Sequence, residues 1–204
     1  MILGMLSSIL QDEDGMKDNF NRAIAQRPED PVIRANFGTA LFRMGYFRGA
    51  RESIERALSL EPTNLGYLDA AIHAANITGR FTNARYLLQT WHKLNPKVSH
   101  DFEKTISQGA AYLEEWGITE DHLDDIVNLL GGVLRECKAS VIAIGTHFLS
   151  DEESHWMSWH FHVLDPPDRV VDLNDRFADR LAMPDLQNNP ATRVTFLCRP
   201  GAPR

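Results

Sequence analysis

Pro28, Pro62 and Pro96 recur at intervals of 34 residues, and a fixed period of that length restricts the fold more than any composition value. One such unit is too short to bury its own apolar face, so successive units must stack and share a continuous core. The register set by the prolines holds at other positions too. In a unit counted from Pro31, with Pro62 at position 32, Phe37 and Gly38 fall at positions 7 and 8, Leu41 at 11, Gly45 at 15, Ala50 at 20, Ile54 at 24 and Ala57 at 27. Small residues at 8, 20 and 27 let two antiparallel helices approach closely, and bulky apolar ones at 7, 11 and 24 fill the seam. Met44-Gly45-Tyr46 supplies the turn between them. The next unit, from Leu65, places Ala71 at 7, Gly79 at 15, Phe81 at 17, Ala84 at 20, Leu88 at 24 and Pro96 at 32. Ile72 at position 8 and Trp91 at position 27 depart from the small residues there and predict a widened helix pair. A first unit, without its opening four positions, keeps Leu3-Gly4 at 7 and 8, Phe20 at 24, Ala23 at 27 and Pro28 at 32.

This pattern resembles the tetratricopeptide repeat (TPR) family over about half of the chain, residues 1–98. The resemblance implies an α-helical TPR solenoid of three repeats, and it implies protein–protein interaction, as an adaptor or scaffold, rather than catalysis. In the family the first helix of each unit lines a concave groove that holds a protein or peptide partner. Carried over by register, the contact positions are Met5 and Ser8, then Asn36, Thr39, Phe42 and Arg43, then Asp69, His73 and Asn76. A groove apolar at one end and polar at the other suits a helix or extended peptide with a few apolar anchors. Some members clamp a partner's terminal carboxylate with basic and asparagine side chains. Asn36 matches one clamp position, but Gly66 and Ala70 stand where Lys and Arg are needed, and Met1 and Met5 where Lys and Asn are, which disfavours a chaperone-tail receptor. Two alternatives stay open: the chain's own second half fills the groove, or exposed groove residues such as Phe42 drive homo-oligomer formation.

An open stack needs a terminal helix with one polar side. Residues 99–115 supply one, with Ser99 as cap, Asp101 at the positive end, and Phe102, Ile106, Ala110 and Leu113 on a single stripe. The alternative is that this helix belongs to the second half. The expected organisation is a helical repeat domain over 1–116 and a small α+β domain over 117–204. In the latter, Thr119 opens a helix through Cys137, weakened by Gly131-Gly132. A hairpin follows, with strands over 140–149 and 156–164 around an acidic turn, Ser150 to Ser154. Asp165 then caps a helix with Pro166 in its first turn, Met183-Pro184 ends it, and a strand over 192–198 precedes a frayed tail from Arg199. The order α-β-β-α-β describes a sheet with helices on one face.

The chemistry-bearing residues of this half are few. His160 and His162, two apart on a strand, share a face with Ser158 and Trp156; with His147 as a third ligand, and Asp151 or Glu152 adding an oxygen, they make a metal-binding or enzymatic module the alternative to an adaptor. The plainer reading is an exposed polar strand face or hydrogen-bonded surface histidines, with Met157, Trp159, Phe161 and Val163 opposite as core. Cys137 and Cys198 sit in apolar runs, which reads as two buried thiols or a single bridge and argues against a nucleophile. Asp124-Asp125 and Asp151-Glu152-Glu153 read as solvated acidic faces and turns. No cofactor is expected. The net charge of −7 over 204 residues opposes binding to phosphate backbones, with only Arg193 and Arg199 in its favour. A hydrophobic content of 43% with 9% aromatics excludes a disordered chain. The apolar start, Met1 to Leu10, lacks the basic residues of a signal peptide, and no run is long enough to span a membrane, so a cytoplasmic protein is expected.

Overall fold

The computed structural model describes residues 1–150, 155–186 and 188–201. Each 34-residue interval folds as two helices joined by a tight turn: α1 (Ile2–Ile9) with α2 (Glu13–Gln26), α3 (Pro31–Arg43) with α4 (Phe47–Leu60), and α5 (Leu65–Ile77) with α6 (Phe81–Leu94). Local chemistry sets the boundaries. Asp30 accepts from the backbone N–H groups of Val32 and Ile33 while Pro31 takes the first helical position, and Asn64 likewise accepts from Gly66 and Tyr67. Gly45 and Gly79, equivalent in the repeat register, reverse the chain with φ of 78° and 72°, a region only glycine enters without strain.

The paired helices run antiparallel and close. Ser53 Oγ donates to the carbonyl of Arg34 at 2.8 Å, and Gly38 lies so near Ile54 that a Cβ there would come within 2.6 Å of it. Successive hairpins stack side by side, Phe20 of α2 on Phe37 of α3 with ring centroids 5.0 Å apart. Ile72 is fully buried, and the Trp91 indole donates to the Val98 carbonyl at 3.2 Å.

Helix α7 (Glu103–Trp116) lies antiparallel against α6, with Gly109 over the Phe81 ring. Ile106 and Leu113 are buried and Phe102 and Ala110 pack against the same cluster, so the expected stripe is the inward one. Ser99 is not the cap. The chain makes a turn first, because His100 points inward: one ring nitrogen meets Asp69 at 3.0 Å and the other accepts from the Phe102 N–H at 3.2 Å, so the helix starts only at Glu103.

Helix α8 (Glu120–Glu136), opened by a capping box of Thr119 and His122, leaves the row and crosses the turns of the second and third hairpins. Its residues 124, 128, 131 and 135 share one stripe by helical period. Asn128 accepts from the Arg48 N–H at 2.9 Å, and Arg135 donates to the Gly45 carbonyl at 2.7 Å while lying 4.1 Å over the Tyr46 ring. Gly131 meets Gly45 backbone to backbone; a Cβ on Gly131 would sit 2.2 Å from the Gly45 oxygen. Asp124, expected on a solvated acidic face, is instead fully buried, held by Arg48 at 2.8 Å, Arg80 at 3.1 Å and Arg51 at 3.8 Å. Only Asp125 stays in solvent.

The sheet has the order β1-β2-β3: β1 (Val141–Ser150) antiparallel to β2 (His155–Val163), and β2 parallel to β3 (Thr195–Pro200) across α9 (Pro167–Leu181) and short 3-10 turns. The acidic turn 151–154 lies outside the described residues. Helix α9 starts one residue later than expected. Pro166 is extended at ψ 157° and Pro167 takes the first turn, so Asp165 caps nothing and pairs with Arg169 at 3.2 Å. Arg199 and Pro200 belong to β3 rather than to a frayed tail, because Asn174 of α9 bonds both the N–H and the carbonyl of Cys198 at the strand's edge. Met157, Trp159, Phe161 and Val163 face inward; the Trp159 indole donates to the Ile77 carbonyl at 3.1 Å, and Phe161 lies between Phe47 and Phe177. One buried cluster therefore runs from Phe47 to Cys198, and a smaller one gathers Met16, Phe20, Ile33 and Leu41. No described helix is long and apolar enough to cross a membrane.

Two adjacent glycines give opposite outcomes under the same substitution. Gly132→Ala meets only Arg135 at ordinary contact distance and gains about 1 kcal/mol of helix propensity. Gly131→Ala, against the Gly45 backbone, loses about 2 kcal/mol, both read by urea unfolding. Asp124→Asn, which leaves guanidiniums facing a neutral group, costs about 3 kcal/mol, whereas Asp125→Asn at the exposed pair costs under about 1 kcal/mol.

Candidate functional site

Of the positions inferred from register, Thr39, Phe42 and His73 come together around one hollow, and exposure divides the whole set. Thr39 and Asp69 are exposed; Met5, Asn36, Phe42, Arg43 and His73 are half-buried; Ser8 and Asn76 are buried. Ser8 is spent locally, donating to the Met5 carbonyl at 2.7 Å. Asn76 is only 2% exposed, and β1 packs against both α3 and α5. Between the second and third hairpins a hollow stays open.

The open part is a cavity of about 200 Å³. Thr39 and Phe42 of α3 form one wall, Ala70, His73 and Ala74 of α5 the other, and Phe47, Ala50 and Ile54 of α4 the floor. The small residues at 50, 70 and 74 create the hollow, since larger side chains there would fill the seam between hairpins. Its size is below the roughly 300–1,000 Å³ of a drug-sized ligand site, and it matches one bulky side chain.

The polar groups around the cavity are mostly committed. The Asn36 amide donates to the Val32 carbonyl at 2.8 Å, Thr39 donates to the Ala35 carbonyl at 3.1 Å, and Asp69 holds His100. His73 stacks face to face on Phe102, centroids 5.0 Å apart, and burial holds its pKa below the ordinary value despite the nearby Asp69 carboxylate. Arg43 Nε and Asn76 Oδ1, at two of the register-inferred positions outside the cavity lining, are buried without a hydrogen-bond partner. A wider depression beside α7, lined by Ser99, Glu103, Lys104 and Ser107, is a shallow surface of one helix and the turn before it.

The second candidate is the outer face of the sheet. His147 pairs across the hairpin with Ser158 rather than with His160, yet its ring lies 4.2 Å from that of His160, and His160 Nε2 is 3.2 Å from Ser158 Oγ. This is not the exposed polar face expected. Ser158 is 3% and His160 9% exposed: they stand on the central strand, and the His147 ring of β1 lies against His160. His162 is half-buried beside Arg199 of β3. Desolvation, then His147, Arg199 and His162, lower the His160 pKa to about 4, so its ring is neutral at pH 7. Among the described residues no three His, Cys, Asp or Glu side chains converge as a metal site would require; Asp151 and Glu152 lie outside them. The cysteines are free thiols, Cys137 half-buried and Cys198 buried; burial raises both pKa values, that of Cys198 to about 12, which leaves them protonated and weakly nucleophilic.

Compared with models of protein families, with curated proteins and with solved structures, the chain has no match.

Because the folded pKa of His160 lies below its unfolded value near 6.5, the unfolded chain takes up a proton between pH 6.5 and 4 that the folded chain refuses. Unfolding free energy is therefore expected to fall as pH drops through that window, with a shallower slope in His160→Gln. An NMR titration should place the His160 midpoint near pH 4, and His147→Ala should move it upward.

Proposed function

We propose that the chain is a TPR-type interaction module that holds a peptide or helix from a partner protein by seating one bulky apolar side chain between its second and third hairpins. The observation that carries this reading is the cavity itself: three residues assigned to partner contact by register alone, Thr39, Phe42 and His73, line a single hollow of suitable size. The matching turn glycines and the Phe20 and Phe37 stack support the family assignment. Phe42 and the neutral, stacked His73 offer an apolar, aromatic lining of the kind that anchors interface hot spots. Thr39, exposed on the α3 wall, donates its own proton to Ala35 and keeps its hydroxyl oxygen as an acceptor for a backbone N–H of an extended chain.

Selection of displayed random peptides on the full chain tests the proposal. The expected binders share one large apolar residue, and Thr39→Trp, which fills the hollow from an exposed position, should weaken them at least tenfold, about 1.4 kcal/mol. Binders that ignore Thr39→Trp, or a selection that yields no apolar-anchored peptide, would remove the groove from consideration.

A further inference from the structure

Arg43 is a charge beside the hollow that the chain itself does not answer. Among the contact positions assigned by register and the residues that line the hollow, the only Asp, Glu, Lys or Arg side chains are those of Arg43 and Asp69. Asp69 is engaged by His100 at 3.0 Å. Arg43 makes no ion pair or hydrogen bond among the described residues, whereas Arg22, Arg27, Arg48, Arg51, Arg56 and Arg80 of the same repeats each pair with a carboxylate. Its side chain is half-buried with Nε shut off from solvent, which leaves the terminal nitrogens as the part that reaches water. A guanidinium partly desolvated without a counter-charge carries a cost that an incoming carboxylate offsets.

Helix geometry gives its place. Thr39, part of one wall of the hollow, stands four residues before Arg43 on α3, so the two side chains share a face, with Arg43 about 6 Å further along the axis. Long side chains on a helix lean back toward its N-terminus, which carries the guanidinium toward the hollow rather than away from it. Arg34, the other half-buried arginine of α3 with an unpartnered Nε, stands nine residues earlier, about half a turn round the helix and so on its opposite side.

We propose that the segment seated in the hollow carries an Asp or Glu beside its bulky apolar residue, and that Arg43 selects it. This rests on the peptide-binding reading above and adds to it the charge of the partner. A guanidinium edge offers parallel N–H donors to a carboxylate, which makes the contact directional as well as electrostatic. The step of about 6 Å sets the spacing from the apolar residue: about two residues in an extended chain, where alternate side chains share a face, or about one turn on a helix. A chain of net charge −7 repels an acidic segment as a whole, so an unpaired cation beside the hollow also fixes the position and direction in which that segment docks.

Peptides selected from a random display library on the full chain test the proposal, once resynthesised with amidated C-termini so that side chains supply the only carboxylates. Binders should carry Asp or Glu at one of the two spacings. Changing that acid to Asn or Gln should weaken binding about tenfold, as should Arg43→Gln, and the two changes together should weaken it no further than either alone. Arg43→Glu should turn the selection toward Lys or Arg at the same spacing, and Arg34→Gln should leave the acidic preference unchanged. Apolar-anchored binders that are blocked by Thr39→Trp but carry no acid at this spacing overturn the role of Arg43 and leave the reading of the hollow intact. So do binders whose acid matters equally with Arg43→Gln. A selection without apolar anchors removes both.

Discussion

The carboxylate of Asp124 fixes the relation between the two halves of the molecule. Removing an ionised carboxylate from water costs several kcal/mol unless charge and hydrogen bonds are returned to it. The hydrogen bonds come from Arg48 at the start of α4 and Arg80 beside the next turn, both to Oδ2, and Arg51 adds its charge 3.8 Å from Oδ1, so two hairpins contribute to one acceptor. Glycine makes the approach possible. A Cβ at Gly45 or Gly131 would run into the backbone of the other, so a larger residue at either would push α8 away from the turn. Trp159 and Phe161 then find the apolar ends of α4, α5 and α6 already in place, and the sheet closes the core against them.

The helical part of the fold was legible because close packing at fixed intervals leaves a periodic record. Proline, glycine and alanine at matching positions gave the hairpins and their turns to within a residue or two. Strand alternation gave the inward face of β2 for the same reason, since a sheet covered on one side imposes a period of two. The α8 contacts left no such record. Arg48 and Arg80 are separated from Asp124 by 76 and 44 residues and stand at different positions of their units, so the repeat register could not announce them. The trace that did exist was the stripe of residues 124, 128, 131 and 135, polar or bare where an outward face would be charged throughout and an inward one apolar.

Legibility was lower at the candidate site, because register reports which way a side chain points but not what lies in front of it. Thr39, Phe42 and His73 line an open cavity, whereas Asn76, assigned by the same register, is buried. The histidine face misled in the opposite sense. A strand face of Ser158, His160 and His162 reads as wet, yet on the central strand of three a side chain from the neighbouring strand lies against it, and His160, with the His147 ring 4.2 Å away, becomes dry.

The grip on α8 also bears on the cavity. A hollow between two helix hairpins keeps its shape only while the hairpins keep their angle, and stacked hairpins linked by a short loop can rock about their shared seam. Helix α8 spans both turns, bonding the backbone of Arg48 and Gly45 at one and packing Leu123 against Gly79 at the other. The walls that carry Thr39 and Phe42, and Ala70 and His73, are therefore held from behind by contacts that no ligand touches. A cleft fixed in this way would lose little ordering entropy on taking up the side chain proposed for it. The two halves of the chain are thus one device in a physical sense: the polar stripe of α8 sets the width of a cleft whose lining belongs wholly to the repeats.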